Sequence, residues 1–237
     1  MRQLWIAILL LVVWSSNVQA ADATNRSEAD VKRDETSKPF AVLDFMAVQP
    51  GWHVIDLFAG NGYYSELLSH RVGDTGKVYL HNNQAYMGNV KGLDERLKGE
   101  RLTNVEVYIR EVEDINLPSE SLDMAILVMA YHDVYFEQNG WTVTADPLFS
   151  TIHRILKPGG VLAIIDHHAA AGSGKAHAQE LHRIDAAFAR QDISSHGFEF
   201  VAETDILANS ADDLTLSVFD PAIRGQTSRF VYKFIKP

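Results

Sequence analysis

The residue types best suited to chemistry are concentrated in a few short stretches. The first is Asp56-Leu57-Phe58-Ala59-Gly60-Asn61-Gly62, where an acid inside an apolar run is followed by two glycines. Glycines let a backbone approach a ligand at positions where a Cβ would clash. A helix starting just beyond would add free N–H groups and the positive end of its dipole. Asp56, Ala59, Gly60, Asn61 and Gly62 are therefore the expected contacts of a bound ligand. A Gly-x-Gly turn also serves ordinary strand–helix connections that need positive φ, so its weight comes from the flanking elements.

The second group is made of histidines beside carboxylates: Tyr131-His132-Asp133 and Asp166-His167-His168. Imidazoles placed this way take up and release protons near neutral pH. His132 is the first choice for a base, with Asp133 or Asp166 orienting it and His167 nearby. The alternative is that these side chains shape the pocket without moving a proton. His81, His132, His167 and His168 also raise the question of a metal. No pair has the i, i+4 spacing of a helical zinc site, and neighbouring residues on a strand point to opposite faces. No metal ligand set is expected on that basis. His182 and Asp185, three apart on an expected helix, share a face and could close the pocket. Gly172-Ser173-Gly174-Lys175 hints at a phosphate loop but lacks the first glycine and the final Ser/Thr. Arg224 could pair with a carboxylate, although an ordinary loop explains it equally well.

These groups need a scaffold, and the apolar pattern supplies one. Short apolar runs at 54–58, 77–80, 105–109, 122–129 and 161–165 read as strands, with 198–202 and 229–234 as two more. Between most of them lie segments of helical length. One is opened by Asp146-Pro147 and carries Leu148, Ile152, Ile155 and Leu156; another, longer, runs from about 177 to 191. Continuous apolar strands alternating with helices imply a mostly parallel sheet covered on both faces. The last two strands lack a periodic helical spacer, which implies antiparallel pairing at the edge. In such a sheet, ligands sit beyond the carboxyl ends of the strands, where Asp56–Gly62, His132 and His167 all fall.

The 237 residues suit one domain, and 46% hydrophobic with 22% charged residues is ordinary globular composition. A formal charge of −10 disfavours a nucleic-acid partner. The absence of cysteine excludes disulfides and thiolate chemistry. Arg2, the apolar run Leu4–Trp14 and Val18-Gln19-Ala20 read as a signal peptide cleaved after Ala20, which implies a periplasmic or secreted chain without stable membrane insertion. An uncleaved N-terminal anchor is the rival. Residues 21–38 read as a flexible polar tether and 39–237 as the folded domain.

The motif at 54–65 resembles that of the class I S-adenosylmethionine-dependent methyltransferases, an acid followed by a Gly-x-Gly-x-Gly turn. Here Phe58 stands in place of the first glycine, a change that either tightens the turn or reshapes the pocket. Arg110–Pro118 and Leu156-Lys157-Pro158-Gly159-Gly160 match further family segments in the expected order. The resemblance implies a Rossmann-like, doubly wound, seven-stranded sheet with an antiparallel last strand. It also implies S-adenosyl-L-methionine as cofactor and transfer of its methyl group to a small molecule. Glu111, with Val112 beside it, takes the place of the acid that meets the adenine amino group, and Tyr131 borders the cofactor. Asn82 falls near the end of the second strand, where an acid usually holds the ribose. The chain also resembles, in Tyr131–Asp133, Asp166–His168, Leu181–Asp185 and Ser217–Gly225, a group of bacterial signal-peptide-bearing methyltransferases. Two other functions remain open: a binding protein that has lost catalysis, and a histidine-based metal-dependent enzyme.

Overall fold

The computed structural model describes residues 26–137 and 140–237. The apolar run Leu4–Trp14 and the cleavage site after Ala20 lie outside the described residues. Among those described, no helix is long and apolar enough to cross a membrane.

Seven strands form one sheet: β1 (His53–Leu57), β2 (Lys77–Asn82), β3 (Val105–Ile109), β4 (Leu122–Val128), β5 (Leu156–His167), β6 (Glu199–Thr204) and β7 (Arg229–Ile235). Their spatial order is β3-β2-β1-β4-β5-β7-β6. β1 pairs in parallel with β2 and β4, and β4 with β5, whereas β7 runs antiparallel between β5 and β6. This is the mixed, mostly parallel sheet expected from the apolar pattern. The direction of winding reverses between β1 and β4, which opens a crevice at their carboxyl ends.

Period-two alternation divides each central strand between two cores. Ile55, Leu57, Ala125, Leu127, Leu162 and Ile164 face one core with α6 (Ala145–Ile155) and α8 (Ala186–Ser195). Val54, Met124, Ile126, Ala163 and Ile165 face the other, closed by α2 (Pro39–Met46) and α3 (Tyr63–Val72). Each fully buried Leu or Ile contributes about 1.5–3 kcal/mol over exposure, so the central strands are the most firmly held part of the molecule. The remaining helices are short: α4 (Gln84–Met87), α5 (Leu93–Leu97) and α7 (Ala178–Leu181).

Two expectations are corrected. Part of the polar segment taken as a flexible tether forms a helix, α1 (Glu28–Ser37), capped by Ser27 and docked through buried Asp30 and Ser37. The single helix expected over 177–191 is two. Its break is His182, at φ +54°, followed by Asp185 as N-cap of α8. His182 and Asp185 therefore do not share a helical face.

Candidate active site

The turn after β1 is built from left-handed residues: Phe58 at φ +54°, Gly60 at +59° and Gly62 at +83°. A Cβ on Gly62 would lie 2.6 Å from Leu80 Cδ1, so glycine there lets α3 approach β2. Above Gly60 the nearest atom to such a Cβ, on the Tyr86 ring, is 4.0 Å away. Phe58 accepts a strained backbone, which costs about 1–2 kcal/mol. Its buried ring offsets this by packing against Trp141 (5.2 Å), His81 (5.4 Å) and Tyr86 (5.6 Å). The substituted glycine thus keeps the turn's backbone and adds an aromatic cluster beside it.

Asp56, at the end of β1, is 2% exposed, and Oδ2 accepts a hydrogen bond from Ser65 Oγ at 2.6 Å. Burial pushes its carboxyl up to about 7, against the lowering effect of Ser65. Together with Arg33, Phe58, Ala59, Tyr63, Tyr64 and Val128 it lines a cavity of about 40 Å³. Arg33 reaches the cavity from α1, its guanidinium 3.8 Å from the centroid of the Tyr63 ring. Tyr63 Oη donates to Asp34 at 2.6 Å. Buried Arg96 completes the tie: it donates to Asp30 of α1 at 2.8 Å, to Glu66 of α3, and to the Asn61 carbonyl at 2.5 Å. α1 is thereby fastened to the glycine turn.

At the end of β2 the structure corrects one expectation. The Asn82 side chain forms a closed pair with Gly60, Oδ1 accepting from Gly60 N and Nδ2 donating to Gly60 O, both at 2.9 Å. It therefore clamps the turn and is not set out to hold a ribose. Among the described residues, His81 Nδ1 and Asn83 Nδ2 are buried nearby without a partner. Glu111 accepts from Gln84 N at 3.1 Å, and Val112 is buried at the start of the turn after β3. Tyr131 is also placed elsewhere than expected. It is fully buried against Phe149 and Tyr135, and its hydroxyl donates to Asp192 at 2.7 Å.

A buried carboxylate with one hydroxyl donor needs a cation, and an unpartnered donor (Asn83 Nδ2) and an unpartnered acceptor (His81 Nδ1, since Nε2 donates to the Arg110 carbonyl) each need a complement. Asp56, the bare backbone of Gly60 and the free atoms on His81 and Asn83 therefore suit a ligand carrying an ammonium group and nucleoside polar atoms. S-adenosylmethionine has both.

On the far side of the crevice, a turn at His132–Tyr135 follows β4. Asp166 of β5 accepts from His132 Nδ1 and from His132 N, both at 2.8 Å, and from His167 N at 2.7 Å. His132 Nε2 lies 3.2 Å from Asp133 Oδ1 and 3.2 Å from His182 Nδ1. Burial alone would lower the His132 imidazole, but Asp166 and Asp133 outweigh it and raise it to about 10. Burial acts to raise Asp133, yet His132 and His182 hold it below the usual carboxylate range. At neutral pH a histidine so placed is charged, which suits it to hold a proton rather than to accept another. His167, next along β5, has its ring centroid 6.0 Å from that of His132 and is bonded through Nδ1 to Thr227 Oγ1 at 2.8 Å, with burial holding its imidazole well below the ordinary value. His168 packs on Phe230 at 5.4 Å and lines a separate open groove of about 950 Å³ with Asp185, Arg190 and Glu203.

The structure thus brings together Asp56, Ala59, Gly60 and Gly62 on one side, and His132, Asp133 and Asp166 on the other. Trp141 bridges them, its ring against Phe58 and its Nε1 donating to the Asp133 carbonyl at 2.6 Å. Sequence reasoning missed Arg33 and Arg96, and gave His182 the wrong neighbour.

The sequence profile of the methyltransferase domain matches residues 49–215. A ubiquinone/menaquinone biosynthesis C-methyltransferase of Hydrogenovibrio crunogenus is 27% identical over 124 residues, 52% of this chain and 45% of that protein. The namesake from Shewanella frigidimarina is 28% identical over the same share of this chain and 46% of its own length. The chain thus spans about half the length of these relatives. Among solved structures, a SAM-dependent methyltransferase from Aquifex aeolicus superposes with a TM-score of 0.64 at 21% identity, covering 90% of this chain and all of the other. Geranyl diphosphate C-methyltransferase from Streptomyces coelicolor, solved with Mg²⁺, geranyl diphosphate and S-adenosyl-L-homocysteine, gives 0.61 at 14% identity over 92% and 89% of the two chains. At these identities the structural likeness establishes the fold.

Proposed function

The chain belongs to the S-adenosylmethionine-dependent methyltransferases, and from that premise we propose that it methylates a small-molecule acceptor in the cell envelope. The observation that carries the reading is the pairing of Asp56, buried at a cavity wall, with the left-handed, side-chain-free backbone of Gly60 in the turn that follows it. The envelope location rests on the apolar run Leu4–Trp14 and the small residues before Ala21. The acidic charge supports a small acceptor over nucleic acid.

When bound, the cofactor supplies an electrophilic methyl group on sulfur. Asp56 offers the carboxylate that pairs with the ammonium, and the Gly60 backbone, held by Asn82, allows close approach. Phe58, Tyr86 and Trp141 form an apolar wall that excludes water near the reacting atoms. Glu111, at the end of β3, offers an acceptor for an exocyclic amine. On the acceptor side, His132 and Asp133 orient the nucleophilic atom, with Asp166 fixing the His132 ring. The proton on His132 Nε2, which faces Asp133 and His182 Nδ1, is placed to bond that atom, and His182 connects the cluster to solvent. His167 supports the ring of His132 from behind, 6.0 Å between centroids. Alignment and desolvation supply most of the acceleration that methyl transfer needs.

Trp141 gives a direct test. Adding S-adenosylhomocysteine should change tryptophan emission in the wild-type chain and leave Trp141→Phe unchanged. Equal responses from both, or none at saturating ligand, would remove the reading.

A further inference from the structure

Three lone-pair-bearing atoms converge on one point: His132 Nε2, His182 Nδ1 and Asp133 Oδ1, separated by 3.2, 3.2 and 3.8 Å. With His132 Nδ1–H donated to Asp166, it is Nε2 that meets a carboxylate and a second imidazole, and the proton it carries in the charged ring is the one a metal ion would displace. Something positive must sit among them. A proton can serve one pair at a time, whereas a metal ion can serve all three atoms together.

We propose that His132, His182 and Asp133 form a binding site for one divalent transition-metal ion, with Asp166 as the supporting carboxylate behind His132. The separations set the size of the ion: a point roughly 2 Å from all three atoms exists, which is the ordinary Zn–N and Zn–O distance. Tetrahedral ligands at that bond length lie about 3.3–3.4 Å apart, which two of the three separations approach, so His182 and Asp133, 3.8 Å apart, would draw together by a few tenths of an ångström on binding. Two imidazoles and one carboxylate favour zinc, iron or cobalt over magnesium or calcium. Two carboxylates, Asp133 and Asp166, balance the charge of a dication. Asp166 fixes the His132 tautomer as outer carboxylates of histidine metal sites do.

The surroundings hold the third ligand in place. His182 takes a left-handed backbone at φ +54°, a conformation uncommon for a residue other than glycine, and it ends α7 so that Nδ1 turns toward His132. Phe136 and Phe219 flank its ring, each with a centroid 4.8 Å away. The His182 and Asp133 side chains remain 18% and 15% exposed, so an ion can enter and a position stays open for an acceptor oxygen. An acceptor hydroxyl bound there would lose its proton more easily. The metal site itself stands whether or not the chain transfers methyl groups.

The test is titration of the metal-stripped full chain with Co²⁺, followed by its visible ligand-field absorption, with Zn²⁺ as competitor. One Co²⁺ per chain should bind and be displaced by Zn²⁺. His182→Ala should weaken binding by about 100-fold and Asp166→Asn by about 10–100-fold, the usual effect of losing an outer carboxylate. His153→Ala, on α6, should bind as wild type. Circular dichroism checks folding, and His182→Gln replaces His182→Ala where the latter fails to fold. The proposal is overturned when the folded wild type takes up neither ion at millimolar concentration, or when both His182 variants bind as wild type. S-adenosylhomocysteine binding on the same samples separates failure of this site from failure of the cofactor reading.

Discussion

Replacing Asp56 with asparagine removes a buried charge without changing the size of the side chain, and the consequence depends on pH. The folded carboxyl titrates near 7, raised from 3.8 chiefly by burial. Between those values the folded chain keeps a proton that the unfolded chain has released, so this residue's contribution to stability falls as pH rises and levels off above about 7. At 1.36 kcal/mol per decade, a rise from 3.8 to about 7 amounts to about 4 kcal/mol at pH 8. Asparagine carries no such penalty and can still accept from Ser65. The variant should therefore be more stable than wild type by about 2–4 kcal/mol at pH 8, and by close to nothing at pH 4. Denaturant unfolding of both proteins across this range gives the difference directly. Carboxylates with lowered values, such as Asp30, push in the opposite direction in both proteins and cancel. A stability difference that stays constant from pH 4 to 8, or that favours wild type as pH rises, would refute the reasoning. The same charge has a use: an ammonium beside Asp56 lowers its pKa, so cofactor affinity should increase with pH up to about 7 and lose that dependence in the variant.

Other perturbations follow from the contacts. Arg96→Ala leaves buried Asp30 without its cation and Glu66 with Arg101 alone, a loss of about 3–5 kcal/mol in urea unfolding; a change under 1 kcal/mol would mean that the ion pairs do not hold α1. Asn82→Ala frees both polar groups of Gly60, so cofactor affinity should drop while the strands stay protected in hydrogen exchange; unaltered affinity would contradict the clamp. Phe58→Gly relieves a strained backbone but empties an aromatic contact, and with a typical loss of about 3–5 kcal/mol for a buried phenylalanine the packing effect should win. A thermal midpoint above wild type would show that strain dominates.

The central strands were legible because they are largely apolar runs, and only a sheet covered on both faces accommodates such runs, whereas the edge strands β3 and β6 carry glutamates and exposed positions. The glycine turn was legible for a local reason, since positive φ and close approach both leave a mark on residue type. α1 was not legible. It docks by Asp30, Arg33 and Asp34 through ion pairs and a stacked guanidinium, not by an apolar stripe, and a polar helix of that kind looks like a solvated segment. Its partner Arg96 lies 66 residues away in sequence from Asp30, and nothing local announces the pairing. The break at His182 was hidden because neither glycine nor proline marks it. Without that break, His182 appeared to share a face with Asp185 instead of meeting His132. Asn82 illustrates another limit: an amide near the end of β2 can hold a ligand or its own backbone, and only the fold distinguishes them.

The central claim is that the turn from Asp56 to Gly62 receives S-adenosylmethionine. Calorimetric titration of the chain with S-adenosylmethionine and S-adenosylhomocysteine at pH 8 tests it most directly. Micromolar binding of both ligands, weakened at least tenfold in Asp56→Asn, is the predicted result. Absence of heat at millimolar ligand, or equal affinity in the folded variant, would contradict the account.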